Sequence, residues 1–321
     1  MAGQSTSEQR CGLGPFLTGL RVGRAVPIPG AHLVPILSER RDDTRPWVVP
    51  VALLLEESLA EGSTRVFEVC DGGAVNLVEV DHRGDLPLLV LDGEQIHGAN
   101  QDRIFNASFV IAPHTRVALP VSCIERGRWQ RRSKRFSAGR STIYEGARSR
   151  KLRRICASLA EGGGYEASQQ DVWRDVRTYI DSSRVSSPTE AYEEAAASKR
   201  GATQRLLKHL RPVAGQVGLA LVRRDRLRLL DVFGSPSLYA RAADKVIRGL
   251  LAALYRARRE PRVTPELVVA RALHHLGRVE ATEVPSPGLG STYHGTCDRF
   301  AFTAAAYEGR TYHYVATGVT A

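Results

Sequence analysis

A run of carboxylate, amide and guanidinium side chains follows directly after an apolar stretch in the first third of the chain. Asp92 and Glu94 are candidates for the general acid or base of a reaction, because a positioned carboxylate can transfer protons. Glu125, together with Asp92, could act as a base or bind a cation. The same side chains can instead satisfy backbone groups or pair with one another to hold a loop shut. The residue types alone do not decide between these roles.

Apolar strands on both sides would position this polar segment. Leu88–Leu91 is a continuous apolar run, which is typical of a strand buried on both faces. Phe109–Ile111 and Arg116–Val121 predict two further strands. The stretch between them, residues 93–106, is too polar for a core and long enough to be a functional loop. We expect the strands to gather its side chains into one cavity.

The composition is that of a soluble globular protein, with 43% hydrophobic and 25% charged residues among 321. No apolar run is long enough to cross a membrane and the N-terminus lacks the apolar core of a signal peptide, so a cytoplasmic location is expected. The five cysteines form no CxxC pair. The sequence has no phosphate loop, dinucleotide fingerprint, zinc-protease motif or nucleophile elbow. No metal site or cofactor is predicted, and Cys123 fits an apolar strand better than a nucleophile.

The positive charge of the chain is confined to one segment. The formal net charge is +11, and the segment Arg126–Arg154 alone holds twelve basic residues and one acid. Such confinement indicates an anionic partner, and nucleic acid is the alternative to a small ligand. Aromatic residues within the segment could stack on bases, although the pattern favours buried aromatics and solvated arginines. The nucleic-acid candidates are Arg126, Arg128, Arg131, Arg132, Lys134 and Arg135.

The pattern of strands and helices predicts an α+β fold with a β-rich N-terminal part, a helical middle and an α/β C-terminal part that ends in an antiparallel hairpin. Helix starts are expected at Ser168, Ser187 and Ser235, and a short helix over residues 50–60. The predicted divisions are a disordered N-terminus (1–16), a β-rich part with the site (17–125), a basic, glycine-containing connection (126–165), a helical insertion (166–212) and a C-terminal part packed with the β-rich part as one domain (213–321).

Several sequence blocks resemble the ARG-and-rhodanese-phosphatase-superfamily-associated protein domain family, in which ARG stands for ADP-ribosyl glycohydrolase. They cover nearly the whole chain and depart from the family pattern at Asn100, which replaces a lysine, and at Asp102, which replaces an asparagine. The blocks are LDGEQIHGANQDRIFN, LPVSCIERGRW, VSSPTEAY, AGQVGLALV, DVFGSP and PSPGLG.

The resemblance implies a nucleotide ligand of the ADP-ribose or NAD type, and a hydrolase if the protein is an enzyme. The Asp92–Asn106 loop would then bind or process it, with Asp92 or Glu94 as acid or base. An arginine would contact phosphate, while amides would contact ribose or base. The implied ligand-binding residues are Gln101, Asp102, Arg103, Asn106 and Glu125. A scaffold for a glycohydrolase or phosphatase partner is a further alternative.

Overall fold

A computed structural model describes residues 13–38, 51–70, 74–253 and 262–319. Residues 1–12 of the predicted disordered N-terminus lie outside these ranges, as does residue 50, the predicted start of the short helix over residues 50–60. Residues 14–18, by contrast, form a short helix.

The described ranges contain both strands and helices in large number. The strands are β1 (Leu20–Val22), β2 (Val26–Ile28), β3 (Ala31–Ser38), β4 (Leu53–Leu54), β5 (Thr64–Phe67), β6 (Leu77–His82), β7 (Leu88–Val90), β8 (Glu94–Gly98), β9 (Arg103–Phe105), β10 (Phe109–Ile111), β11 (Thr115–Cys123), β12 (Phe136–Thr142), β13 (Gln216–Arg223), β14 (Arg226–Phe233), β15 (Thr282–Pro285), β16 (Ser291–Thr296), β17 (Phe300–Tyr307) and β18 (Arg310–Gly318). The helices are α1 (Gly14–Thr18), α2 (Leu55–Glu61), α3 (Glu145–Ala160), α4 (Gln169–Ser183), α5 (Tyr192–Ala197), α6 (Arg200–Leu207), α7 (Pro236–Ala252) and α8 (Pro265–Leu276). The predicted α+β class, including the C-terminal hairpin of β17 and β18, is confirmed.

The strands form three sheets. The largest has nine strands in the order β1-β3-β13-β14-β18-β17-β16-β15, with β2 also paired to β3. A six-stranded sheet runs β12-β8-β9-β11-β6-β5, and a three-stranded sheet runs β10-β7-β4. The pairings between described strands are antiparallel except for the parallel pair of β4 and β7. The largest sheet therefore combines strands from both ends of the chain.

Helices cover both faces of the nine-stranded sheet. On one face, Val34 and Leu230 pack with Leu273 of α8 in one apolar cluster. On the other face, Leu219 and Phe233 join residues of α3 and α7 in a second cluster. Helix α7 also packs against β12, so α7 connects the nine-stranded sheet to the six-stranded one. The predicted site residues lie on or next to β8, β9 and β11 of the six-stranded sheet.

The polar stretch 93–106, predicted as a loop, contains strands β8 and β9 instead, so the loop prediction is wrong. Several of its polar side chains are buried because they meet partners from distant parts of the chain, as Glu94 meets Lys245 and Arg103 meets Glu68. The strand predicted over Phe109–Ile111 is confirmed residue for residue. The helix predicted over 50–60 begins at Leu55, since Leu53 and Leu54 pair with β7.

The predicted connection 126–165 contains strand β12 and helix α3. Ser168 caps α4 by accepting the Asp171 N–H, as the sequence predicts. The helix expected from Ser187 onward is interrupted, and α5 and α6 are separate short helices.

Candidate functional site

Asp92, the first predicted catalytic residue, lies in a cluster of four buried charges. Arg148 Nε donates to Asp92 Oδ2 over 2.7 Å, and its terminal nitrogens donate to Asp231 over 2.9 and 2.5 Å. Lys151 Nζ donates to the other oxygen of Asp92. Burial raises the pKa of Asp231, but the charges and hydrogen bonds of Arg148 and His313 together outweigh it, so the net pKa lies below its usual value. We call Asp92, Arg148, Lys151 and Asp231 the central ion cluster; its charges balance.

A hydrogen-bond chain extends from the central ion cluster to the last strand. Ser108 Oγ lies 2.7 Å from His313 Nδ1, and His313 Nε2 lies 3.1 Å from Asp231 Oδ1. Serine, histidine and aspartate follow one another as in a hydrolase triad. All three are buried, however, and Arg148 neutralises Asp231. These hydrogen bonds therefore hold the segment around Ser108 to β14 and β18, and they do not present a nucleophile to solvent.

Glu94, the second predicted catalytic residue, belongs to a separate ion pair. Lys245 Nζ of α7 donates to Glu94 Oε1 over 2.5 Å and reaches Glu56 Oε2 at 3.2 Å. The other oxygen of Glu94 accepts the Leu91 N–H at 3.0 Å. Burial lowers the pKa of Lys245, and Glu94 more than offsets this, so the net pKa is raised. Glu94 therefore fastens α7 to β8 with both of its oxygens occupied.

Arg103 is completely buried and pairs with Glu68. Its Nη2 atom donates to both Glu68 oxygens, over 3.0 and 2.8 Å, and Nη1 donates to Leu77 O over 2.7 Å. Cys123 lies in the same environment, and burial raises the pKa of its thiol to about 11. A thiol with that pKa is protonated at neutral pH, which argues against Cys123 as an activated nucleophile.

Asp102 and Glu125 share one buried arginine. Arg128 Nε donates to Glu125 Oε2 over 2.8 Å, and Arg128 Nη2 lies 3.1 Å from Asp102 Oδ1. Asp102 Oδ2 also pairs with His97 Nδ1 at 2.8 Å. Burial lowers the pKa of His97, but the hydrogen bond that Asp102 accepts and the negative charges of Asp102, Glu193 and Glu125 together more than offset this, so the net pKa is raised. These contacts hold the turn between β8 and β9 against the segment that follows β11.

The two predicted amides are also bound internally. Gln101 Nε2 donates to Arg126 O over 3.5 Å, whereas Asn106 Nδ2 donates to Tyr165 O over 2.9 Å. Asn106 Oδ1 accepts from Ser122 Oγ at 2.7 Å. The seven residues predicted to form one site are thus divided among several buried networks. Their contacts favour a role in holding the strands together.

A cleft lined by three arginines lies beside this region, and the sequence did not predict it. Its volume is about 280 Å³, and it opens between β12 and helices α5, α6 and α7. None of the seven predicted residues lines it. We call it the arginine cleft; its polar lining residues are Arg140, Ser141, Glu193, Arg200, Thr203, Gln204 and Arg248.

A wide bulge in β12 directs side chains toward the arginine cleft. Ala138 pairs with Ile96 and Thr142 with Glu94, so residues 139–141 lie opposite Gln95 alone. A Cβ at Gly139 would come within 2.5 Å of Gln95 Cβ, so only glycine fits this close approach. Bulges re-aim side chains in this way, often next to functional sites. Gln95 Nε2 then donates to Ser141 Oγ over 2.8 Å and fixes the bulge from inside.

The arginine cleft carries an excess of positive charge. Arg200 pairs with Glu193, the single acidic residue of the lining, and Arg248 Nη2 donates to the Gln204 side chain over 2.9 Å. Arg140 forms no hydrogen bond or ion pair with any part of the chain that the structure describes. An anion could therefore bind to Arg140 and Arg248 without first breaking an ion pair. The sequence offers no signal for this site, because its residues come from one strand and three helices.

A second cleft, of about 110 Å³, lies between α3 and α4. Its arginines already have acidic partners: Arg150 pairs with Asp175, and Arg154 and Arg174 pair with Asp171. Burial raises the pKa of Asp175, with the hydrogen bond from Arg150 only partly offsetting it. This cleft is therefore a weaker candidate for an anionic ligand.

The predicted nucleic-acid residues divide by exposure. Arg126, Arg131, Arg132, Lys134 and Arg135 are exposed, whereas Arg128 is buried with Glu125 and Asp102. Of the aromatic residues in the basic segment, Phe136 and Tyr144 are buried, as the pattern favours, but Trp129 is 49% exposed.

The described ranges contain neither a cluster of metal ligands nor a helix suited to cross a membrane. No group of three or more histidine, cysteine, aspartate or glutamate residues there is placed to hold a metal ion. Within the same residues, no helix combines the length and apolar character that crossing a membrane requires.

Comparison with known proteins identifies a family for the chain. Curated proteins contain no significant match to the chain, and no solved structure matches it either. A family model for the ARG and Rhodanese-Phosphatase-superfamily-associated Protein domain matches residues 20–317. Because this match spans nearly the whole sequence, the chain belongs to the ARG and Rhodanese-Phosphatase-superfamily-associated Protein domain family.

Proposed function

We propose that the protein binds a phosphorylated small molecule of the ADP-ribose or NAD type in the arginine cleft. The observation that carries this proposal is the convergence of Arg140, Arg200 and Arg248, from three different elements, on one concave site. Arginine suits phosphate because its planar fork donates two hydrogen bonds to two oxygens at once. The family name, which links the domain to ARG proteins, supports the choice of ligand.

The size of the arginine cleft indicates which part of such a nucleotide it would hold. Its 280 Å³ lies just below the range of roughly 300–1,000 Å³ of sites that enclose a drug-sized ligand. The lining combines charged and polar side chains with Ala196 and Ala252, and contains no aromatic ring for a base to stack on. The phosphate and ribose would therefore occupy the cleft, with Thr203 and Gln204 as partners for the sugar hydroxyls.

The arginine cleft supports binding better than hydrolysis. Glu193 is the one carboxylate among the lining residues, and it is already paired with Arg200. Of the two predicted acid or base residues, Asp92 has no contact with the described lining residues, and Glu94 would act on this site indirectly. Glu94 holds Lys245, one helical turn before Arg248 on α7, and its neighbour Gln95 holds Ser141.

Titration calorimetry tests the proposal with ADP-ribose, NAD, AMP and unphosphorylated adenosine. We expect ADP-ribose to bind and adenosine to bind far more weakly. Arg140→Ala should weaken ADP-ribose binding by about 10- to 100-fold, the equivalent of about 1.5–3 kcal/mol for a hydrogen bond to a charged group. Arg83→Ala, which removes a 59% exposed arginine side chain outside the cleft, is the matched control and should leave the affinity unchanged.

Equal affinity of Arg140→Ala and wild-type protein for ADP-ribose would overturn the assignment of the site. Incubation of bound ADP-ribose, followed by mass spectrometry, then separates two forms of the proposal. An unchanged nucleotide supports a binding protein or a scaffold for an ADP-ribose-processing partner. A cleaved nucleotide supports a hydrolase.

A further inference from the structure

The segment that joins β11 to β12 forms an exposed basic loop with a tryptophan in it. We call residues 129–135, with the sequence WQRRSKR, the tryptophan loop; it holds four positive side chains and no acid. Every residue from 129 to 135 is exposed. The loop is separate from the arginine cleft, whose lining begins at Arg140.

The tryptophan loop is held in place at its base. The buried Arg128 donates to Ala99 O over 2.8 Å and to Gln130 O over 2.9 Å, while its Nε binds Glu125. Ser133 Oγ donates to Arg135 O over 2.6 Å and accepts the Ala99 N–H at 3.0 Å. The loop is therefore ordered before any partner binds, which lowers the entropy cost of binding.

Trp129 exposes a large aromatic ring to solvent. Its side chain is 49% exposed, and the other large exposed apolar residues in the described ranges are all aliphatic. A tryptophan left in water on an otherwise polar loop indicates a surface that a partner covers. The flanking arginines and lysine indicate that this partner is anionic.

We propose that the tryptophan loop binds single-stranded nucleic acid. A base would stack on the Trp129 ring while Arg131, Arg132, Lys134 and Arg135 contact phosphates on either side. Single strands are favoured over duplex because stacking on a side chain requires an unpaired, exposed base. A membrane surface fits less well, because the tryptophan loop offers one apolar anchor where stable membrane association uses a whole apolar face.

Fluorescence anisotropy with a labelled oligothymidylate and a labelled oligouridylate tests this proposal on the full chain. Trp129→Ala should weaken binding by about 5- to 150-fold, the range measured for loss of one base-stacking contact. Leu267→Ala removes another exposed apolar side chain, 42% exposed on α8, and serves as the matched control without effect.

The salt dependence gives a second readout. The logarithm of the affinity should fall linearly with the logarithm of salt concentration, and Lys134→Ala should reduce that slope by about 0.7, as expected for one lost phosphate contact to a single strand. Arg83→Ala should leave the slope unchanged. Trp129 emission should also be quenched by the oligonucleotide in a double variant, Trp47→Phe with Trp173→Phe, in which Trp129 is the one remaining tryptophan.

Other results would overturn the proposal. Equal binding of wild-type and Trp129→Ala protein to the oligonucleotide, or tighter binding of polyglutamate or of phosphatidylserine vesicles, would show that the loop has no preference for bases. The result is independent of the proposed function, because Arg140→Ala should reduce ADP-ribose binding and leave oligonucleotide binding intact. Trp129→Ala should do the reverse.

Discussion

Asp92 and Arg148 show how strongly single side chains connect the layers of this protein. Arg148 lies on α3 and holds Asp92, after β7, and Asp231, on β14, at the same time. All three side chains are completely buried. A charge buried without a partner is costly, so each member of the central ion cluster is needed to keep the others neutralised.

Asp92→Asn should therefore destabilise the protein strongly. The change removes one negative charge and leaves Arg148 and Lys151 with Asp231 alone. We expect the free energy of unfolding to fall by about 3–5 kcal/mol, as for removal of one partner from a buried ion pair. Denaturant unfolding followed by circular dichroism measures it.

Asp85→Asn is the matched control for this prediction. Asp85 pairs with His114, and its side chain is 94% exposed, so its loss should have little effect on stability. Similar unfolding midpoints for the Asp92 and Asp85 variants would contradict the importance of the central ion cluster.

The pair of His97 and Asp102 makes part of the stability depend on pH. The net pKa of His97 is raised above 6.5 and that of Asp102 is lowered below 3.8. The contribution of His97 is therefore fully present below its unfolded pKa and is lost as pH rises through its folded pKa. That of Asp102 is lost as pH falls through its own folded pKa.

His97→Gln should consequently be more destabilising in mildly acidic than in basic solution. At about pH 5.5 we expect a loss of about 1 kcal/mol in unfolding free energy, and a smaller loss at about pH 8.5. Thermal unfolding at the two pH values measures the difference. His114→Gln, in an exposed pair, is the control, and a loss for His97→Gln that is equal at both pH values would refute the assignment.

At the scale of elements, the bulge of β12 links the fold to the arginine cleft. Three residues, 139–141, lie opposite one residue of β8, and this excess turns Arg140 outward. Helix α7 approaches the same strand at Gly249, where an added Cβ would meet Thr142 Oγ1 at 2.0 Å. The strand and the helix that supply Arg140 and Arg248 are thus fixed at close distance.

Gly139→Ala should disturb both stability and binding. The added methyl group would meet Gln95 Cβ at 2.5 Å and Gln95 O at 2.8 Å, so the bulge must shift. We expect a loss of about 1–3 kcal/mol in unfolding free energy, as for overpacking, together with weaker ADP-ribose binding. Denaturant unfolding and calorimetry measure the two effects.

The control for this change is Gly164→Ala, because the nearest atom to a Cβ there is 4.0 Å away. The bulge would be unimportant for the site if Gly139→Ala kept wild-type affinity for ADP-ribose while losing stability.

The sequence predicted those elements that depend on local signals. The apolar run at Phe109–Ile111 and the capping serine Ser168 each specify their own element, and both are confirmed. Strands β8 and β9 were missed because Glu94 and Arg103 are polar. Their burial depends on Lys245 and Glu68, which lie far away in the sequence.

The arginine cleft could be predicted even less well from local sequence signals. Arg140, Arg200 and Arg248 each look like ordinary solvent-exposed charges in their own segments. They become a site only because a bulge and two helices bring them to one cleft. Trp129, in contrast, is one of the aromatic residues of the basic segment, for which the pattern favours burial, whereas the structure leaves it exposed.

At the scale of the whole molecule, the nine-stranded sheet joins the two ends of the chain. Strand β3 pairs with β13, and β14 pairs with β18, so neither end completes this sheet alone. Helices α3 and α7 connect this sheet to the sheet that holds β8 and β12. The arginine cleft lies where these parts meet.

This topology has a consequence during synthesis on the ribosome. Strand β3 emerges early, but its partner β13 follows about 180 residues later, which takes roughly 10–35 s at typical translation rates. Over that interval β3, the strand that contains Val34 and Ile36, has unpaired backbone N–H and C=O groups along one edge. Another nascent chain can add to that edge as a further strand. Expression yield should therefore depend on molecular chaperones that shield this edge until translation reaches residue 223.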